Sequence, residues 1–467
     1  MPVRIALLIV TLLAAAVQPT GPDVRFGAVE AYDAPDAASE LGVGWGRARI
    51  NWAWVQPDRP GQWVDVEFTD EDLAGERAAG REVVGLLIGI PDWARDPTTL
   101  IPKGLYLPFD DPDNTWGVFV RDAVSRYAGQ IDHWIIWNEP DVWDKNHPAH
   151  TWDGSVADFA QLMRVAYLAA RDANPDAVVH LAAMAHWWDV LYGRELYFRR
   201  LLSLLTADPE AAAHNYYFDS ACVHAYFNPA QVYEVVDLYR AMLADFGMGE
   251  KPVWLIETNA PPSQDPAWPV EAPSKVVSLD EQAAYIPPAL ALAMAAGAAR
   301  VSIYKMTDIE TDLTANPEPF GLVRLDGSRR PAFDTTQVAL ALMQGGEGFR
   351  WVDRHTVGRV VWRQGARRIT MVWSRLPAWL TAQFAAQSES ATLVDAFGRE
   401  RTIAPVDGDY YVSLPAAACQ ETVGDYCMVG GFPMYLIEET DAAEVTPLVG
   451  DGVRPPPLPR WPWQKGD

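Results

Sequence analysis

The chain has 467 residues, 49 % of them hydrophobic and 21 % charged. It is therefore too long for one ordinary core and too apolar for a disordered chain, and it suits a closed barrel of roughly 250–330 residues plus a smaller domain. The formal net charge of −25 argues against nucleic acid as a partner, because phosphate binding needs clusters of Lys and Arg; it is compatible with a neutral ligand.

In chain order, residues 1–20 read as an export signal. Arg4 supplies a positive region, Ile5 to Val17 is apolar or small apart from Thr11, and Ala14-Ala15-Ala16 offers small cleavage positions. The run is short for a span of about 20 residues, and no later segment is apolar enough to cross a membrane. The expectation is a secreted, extracytoplasmic protein with no span once the signal is removed.

Residues 21–345 alternate strand-like and helical stretches. Predicted strands are 24–29, 46–52, 83–90, 133–137, 178–183, 220–226, 253–257 and 301–304. Several are unbroken apolar runs, as parallel strands buried on both sides require. Between them, Trp116, Phe119, Val120, Ala123, Val124 and Tyr127 share one helical face, and Phe159, Leu162, Met163 and Ala166 share another. Ser278 with Glu281 forms a capping box ahead of the helix that leads to the eighth strand. Pro287-Pro288 inside that helix predicts a kink or an interruption. Eight β/α alternations point to an α/β fold, a (β/α)8 TIM barrel.

Helical period disappears over 346–440. Short strands rich in β-branched and aromatic residues are predicted at 357–362, 369–373, 393–396, 410–414 and 434–437, as in an antiparallel β-sandwich. Residues 441–467 form a Pro-rich tail. Cys419 and Cys427 are close enough to pair, which fits an oxidising compartment, whereas Cys222 sits in an apolar strand and reads as a buried thiol.

The chemistry concentrates where apolar strands run into carboxylates. Trp134-Ile-Ile-Trp-Asn138-Glu139-Pro140 ends the fourth predicted strand, and Val253-Trp-Leu-Ile-Glu257-Thr-Asn259 ends the seventh. Both glutamates then face the C-terminal mouth of the barrel, where β/α enzymes keep their sites. Two carboxylates across such a mouth suit glycosidic cleavage, one protonating the departing oxygen and the other ionised. Their mutual repulsion supplies the two protonation states at one pH.

These motifs resemble the retaining glycoside hydrolases of clan A, family 39-like or family 5-like, over most of residues 23–345. The resemblance implies Glu139 as acid/base, Glu257 as nucleophile, and Asn138 on a sugar hydroxyl. It implies double displacement on an oligo- or polysaccharide, with no cofactor and no metal. Arg47, in Gly46-Arg47-Ala-Arg49-Ile-Asn51-Trp52, matches the Arg that keeps the nucleophile ionised. Arg49 and Asn51 share its side of the strand by period two, so the choice among them stays open. His224 and Tyr226, in Val223-His224-Ala-Tyr226, match a His and a Tyr that face the site. Trp93 and Trp143 are candidate sugar platforms, and His186, Trp187 and Trp188 after strand five offer another. Many clan members carry a Trp at the end of strand eight. Here Ser302-Ile-Tyr304-Lys305 stands instead, so Tyr304 or Lys305 takes that place. The alternatives are a catalytically silent carbohydrate-binding barrel and a transglycosylase using the same residues.

Overall fold

The computed structural model describes residues 21–312 and 318–440; the predicted signal (1–20) and the Pro-rich tail (441–467) lie outside them. Eight parallel strands close into a barrel: β1 (Phe26–Val29), β2 (Trp45–Asn51), β3 (Glu82–Ile88), β4 (His133–Asn138), β5 (Val178–Met184), β6 (Ser220–His224), β7 (Val253–Glu257) and β8 (Arg300–Ile303), with β8 paired back to β1. The fold is a TIM barrel with a C-terminal domain of antiparallel sheets. No helix among the described residues is long and apolar enough to cross a membrane.

The barrel interior is filled by inward-facing side chains of alternate registers, among them Trp45, Leu86, Ile135, Cys222, Trp254 and Ile256. Cys222 is a buried free thiol, as its apolar strand predicts. Trp45 fits because β1 offers Gly27 opposite it: a Cβ there would stand 2.3 Å from the indole. The floor of the barrel is polar, with His133 Nε2 2.9 Å from Glu82 and His133 Nδ1 2.9 Å from His180 Nε2.

The helical faces read from the sequence pack as expected, on Thr115–Arg126 and Val156–Ala173. The helix Leu279–Ala295 begins at the Ser278/Glu281 capping box. It runs unbroken through Pro287 and Pro288, against the predicted interruption. Pro287 cannot donate to the carbonyl of Ala283, but the hydroxyl of Thr335 on the neighbouring helix does so instead, at 2.8 Å.

After the helix Pro331–Met343 the chain turns antiparallel. Its strands are β9 (Glu347–Arg354), β10 (Val357–Gln364), β11 (Arg367–Ser374), β12 (Leu380–Ala385), β13 (Ala391–Val394), β14 (Glu400–Ile403), β15 (Asp409–Leu414), the short β16 (Thr422–Val423) and β17 (Tyr426–Cys427), and β18 (Met434–Glu439). Six of them make one sheet in the order β14-β13-β18-β11-β10-β9, and β12 pairs with β15. The large sheet is buried on both faces. Trp362, Met371, Trp373 and Tyr435 join the core of the barrel helices, while Val372, Leu393 and Leu436 pack with Phe384, Tyr410 and Val412 of the β12–β15 pair. The strands β9, β12, β14, β16 and β17 are not among the predicted ones. Cys419 and Cys427 are disulfide-bonded.

Candidate active site

Glu257 is the last residue of β7 and Glu139 the first after β4, so the barrel brings both to its C-terminal mouth. The chain leaves β4 through positive φ at Trp137 (74°) and Glu139 (45°), an uncommon backbone for side chains of this size. Several bonds hold that turn. The Glu139 amide donates to the Ala183 carbonyl at 2.9 Å. The Thr151 hydroxyl donates to the Asn138 carbonyl at 2.5 Å and accepts from the Trp137 indole at 3.1 Å. The buried Asp141 carboxylate takes the amides of Ala185 and His186, at 2.9 and 2.8 Å. Burial pushes the Asp141 carboxyl up to about 7, although these amides oppose it.

The two catalytic candidates have different surroundings. Glu257 is 6 % exposed. Its Oε1 accepts from Arg47 Nη1 at 2.5 Å and its Oε2 from the Tyr226 hydroxyl at 2.5 Å. Burial alone would raise this carboxyl, but the charges of His224 and Arg47 and the two donated hydrogen bonds outweigh it and hold the carboxyl below the usual glutamate range. Glu139 is half-buried and meets His224 Nδ1 at 2.7 Å through Oε1. The same Nδ1 lies 3.3 Å from Glu257 Oε2. One oxygen of each glutamate and a ring nitrogen of His224 all fall within 4.8 Å of one another. Three such donors are a conceivable cation site, but the guanidinium of Arg47 already sits against Glu257 and would repel a cation there.

The arrangement settles which residue of β2 serves Glu257. Arg47 reaches it, Arg49 turns to Glu67 through two hydrogen bonds of 2.9 and 2.8 Å, and Asn51 caps the turn that follows by accepting from the Ala53 amide. Tyr226 and Tyr304 lie just beyond the strands that were predicted to contain them. Tyr304 is half-buried, with its ring 6.4 Å from that of Tyr226 and 6.0 Å from the Arg47 guanidinium. Asn138 is half-buried, and its Oδ1 has no partner among the described residues.

Other predicted site residues are placed elsewhere. Lys305 is buried at 2 % exposure, and its ammonium is taken by Glu30 and Asp312 at 2.9 and 2.8 Å. It is therefore a buried ion-pair partner and does not reach the glutamate pair. Trp93 packs edge-on against Trp52, and its indole N–H donates to the Gln56 carbonyl at 2.7 Å. Trp143 is 39 % exposed, in contact with Trp188 and Tyr192.

Sequence reasoning missed Glu30. It follows β1 directly, with φ of 55°, and is 4 % exposed. Burial would raise its carboxyl, but Lys305 and Arg49 keep it low. Nearby Asp33 is pushed up to about 7 by burial and by the charge of Glu30. The signal was present: Phe26-Gly-Ala-Val-Glu30 is another apolar strand ending in a carboxylate.

No model of a known protein family matches the chain, and no curated protein does. Solved structures do. A family 39 glycoside hydrolase from the gut symbiont Bacteroides cellulosilyticus WH2 superimposes with a TM-score of 0.66 at 16 % identity, over 89 % of this chain and 81 % of that one. A monomeric β-xylosidase from Caulobacter crescentus CB15 gives 0.56 at 15 % identity, over 90 % and 96 % of the two chains. A family 30 endoxylanase from Clostridium papyrosolvens C71 gives 0.54 at 13 %, over 90 % and 97 %. The chain has the fold of these glycoside hydrolases.

Proposed function

We propose that the protein is a retaining glycoside hydrolase that cleaves β-linked saccharides by double displacement. The observation that carries this reading is the spacing of the two glutamates. One oxygen of each lies within 4.8 Å of the other, which supports a close-set retaining pair, about 5–5.5 Å between carboxyl groups, over the wider inverting pair at about 6.5–9.5 Å.

The environments divide the roles. Glu257, held ionised by Arg47 and Tyr226, attacks the anomeric carbon as the glycosidic bond breaks. Glu139 gives its proton to the departing oxygen. In the second half-reaction Glu139 takes a proton from water, the water oxygen attacks the anomeric carbon, and the ester to Glu257 breaks with the electron pair returning to its carboxylate. Both carboxyls end as they began, and two inversions give net retention. The unpartnered Oδ1 of Asn138 supplies an acceptor for a sugar hydroxyl beside Glu139. Export follows as part of the proposal, supported by the signal-like residues 1–20 and by the disulfide.

The test is hydrolysis of a panel of aryl β-glycosides by the purified protein and by its Glu257→Ala variant, with azide as a rescue nucleophile. The expected result is loss of activity in the variant and rescue as the glycosyl azide of opposite anomeric configuration. Full activity of the variant without azide would overturn the assignment. Transfer to an added sugar acceptor in preference to water would identify a transglycosylase, and binding without turnover would identify a silent binding barrel.

A further inference from the structure

The two glutamates are held by different means. Glu257 is fixed through its own carboxylate, by the bonds from Arg47 and Tyr226. The carboxyl of Glu139 meets His224 Nδ1 and has no second hydrogen-bond partner among the described residues. Its place therefore depends on the backbone that carries it. That backbone is a turn. The Glu139 amide donates to the Ala183 carbonyl at 2.9 Å, just past the Asn138–Ala183 pair that ends the β4–β5 ladder. The Glu139 carbonyl accepts from the Val142 amide at 3.2 Å, which closes the turn Glu139-Pro140-Asp141-Val142.

Pro140 has no amide with which to continue the ladder. Beyond it a side chain takes over. Asp141 is 2 % exposed, and it accepts the Ala185 amide on one carboxylate oxygen and the His186 amide on the other, at 2.9 and 2.8 Å. Ala185 and His186 directly follow β5. Amides withdrawn from water need acceptors, and this one carboxylate serves two of them. The His186 ring adds no hydrogen bond of its own: it is buried, and neither ring nitrogen has a partner among the described residues. Asp141 thus clamps the turn that begins at Glu139 onto the end of the neighbouring strand.

We propose that Asp141 is the positioning residue of the acid/base: its grip on the two amides after β5 sets where the Glu139 carboxyl stands, and so how well that carboxyl delivers its proton to the leaving oxygen. The inference rests on the proposed function. Asp141 itself need touch neither substrate nor reacting atoms. A general acid works only within hydrogen-bond reach of the oxygen it protonates, and a misplacement of about 1 Å can cost roughly 100-fold. Attack by Glu257 does not pass through this turn. Loss of the clamp should therefore harm proton delivery and spare nucleophilic attack. A leaving group that is already stable as an anion departs without a proton, so it escapes the effect.

The experiment compares kcat/KM of the full chain and of its Asp141→Asn variant on two aryl β-glycosides of one sugar, the dinitrophenyl glycoside with a good leaving group and the phenyl glycoside with a poor one. Asn keeps the shape of Asp, but its NH2 faces an amide N–H, so one of the two bonds is lost. The expected result is a fall of roughly 10- to 100-fold on the phenyl glycoside and of less than about 3-fold on the dinitrophenyl glycoside. The ratio of the two falls, taken on one preparation, does not depend on how much of it is folded. Asp141→Ser, smaller and with a single acceptor oxygen, should show the same split and serves where the Asn variant does not fold. Equal falls on both substrates, or no fall on either, would overturn the positioning role, and so would failure of both variants to fold, which would assign Asp141 to stability. The unsubstituted protein separates the two claims: activity there with no split in the variants sinks the role of Asp141 alone, and inactivity on every glycoside sinks the functional reading and this inference with it.

Discussion

His224 Nδ1 stands 2.7 Å from Glu139 Oε1. The same nitrogen is 3.3 Å from Glu257 Oε2, so one imidazole nitrogen addresses both carboxylates. Ionised carboxylates only accept hydrogen bonds, so a proton must lie between nitrogen and oxygen for the contact to be favourable. His224→Ala removes the one group that meets both glutamates. A hydrogen bond to a charged group is worth about 1.5–3 kcal/mol, so kcat/KM on an aryl glycoside should fall roughly 10- to 150-fold. An unchanged kcat/KM would show that the ring only fills space.

The support of Glu257 has a pH signature. Its carboxyl is held below the ordinary value of 4.5 despite burial, by His224, Arg47 and Tyr226. A depressed carboxylate contributes stability above its unfolded pKa and loses it as pH falls through the lower folded value. The acid limb of kcat/KM should therefore lie below pH 4.5 in the unsubstituted protein. Arg47→Leu should move the limb upward and destabilise the fold by about 3–5 kcal/mol, since it leaves a buried charge unpaired. Tyr226→Phe removes a hydrogen bond and no charge, so it should move the limb in the same direction by less. Profiles whose acid limbs coincide would refute the roles given to both residues.

The same architecture explains what could be read in advance. Strand ends that pair an apolar run with a carboxylate were legible because a buried parallel strand has no other use for a terminal charge. That grammar located Glu139 and Glu257, and applied evenly it would have located Glu30. Lys305 was misplaced for want of Glu30, because its partner lies 275 residues earlier in the chain and no local pattern connects them. The strands β9 and β14 escaped because they are the edges of their sheet and carry mixed charged sequences, Glu-Gly-Phe-Arg-Trp-Val-Asp-Arg and Glu-Arg-Thr-Ile. Edge strands need no apolar alternation. The choice of Arg47 over Arg49 needed three dimensions, since period two puts both on one side.

A second buried network holds the segment that closes the barrel. Arg330 is 1 % exposed and donates to Asp265 at 2.8 Å, to Asp308 at 2.6 Å and to the Gly321 carbonyl at 2.5 Å. Asp265 belongs to the loop after β7 and Asp308 to the stretch after β8, so one guanidinium ties together the segments that follow two barrel strands. Arg330→Met strips the buried Asp308 of its guanidinium and leaves Asp265 with Arg324 alone. The expected cost is about 3–5 kcal/mol, read as a lower urea midpoint; an unshifted midpoint would refute it.

The disulfide reaches the same region from the other domain. Cys419 and Cys427 close a loop eight residues apart in sequence. Within it the Gln420 amide donates to Glu281 Oε1 at 2.8 Å, and the Glu421 carboxylate takes the Val276 amide at 2.8 Å and the Lys275 ammonium at 2.9 Å. Glu281 is also the capping-box partner of Ser278, so the loop grips the start of the helix that leads into β8. Closing a loop of this length removes chain entropy from the unfolded state worth about 2–3 kcal/mol. Cys419→Ser with Cys427→Ser should lose about that much stability, and it should raise amide exchange over residues 261–277 more than in the barrel strands. Reducing agent should reproduce both effects in the unsubstituted protein and add nothing to the double variant. Uniform loss of protection across the whole barrel would show instead that the bond acts on global unfolding alone, and that the contacts of Glu421 and Gln420 do not hold this loop in place.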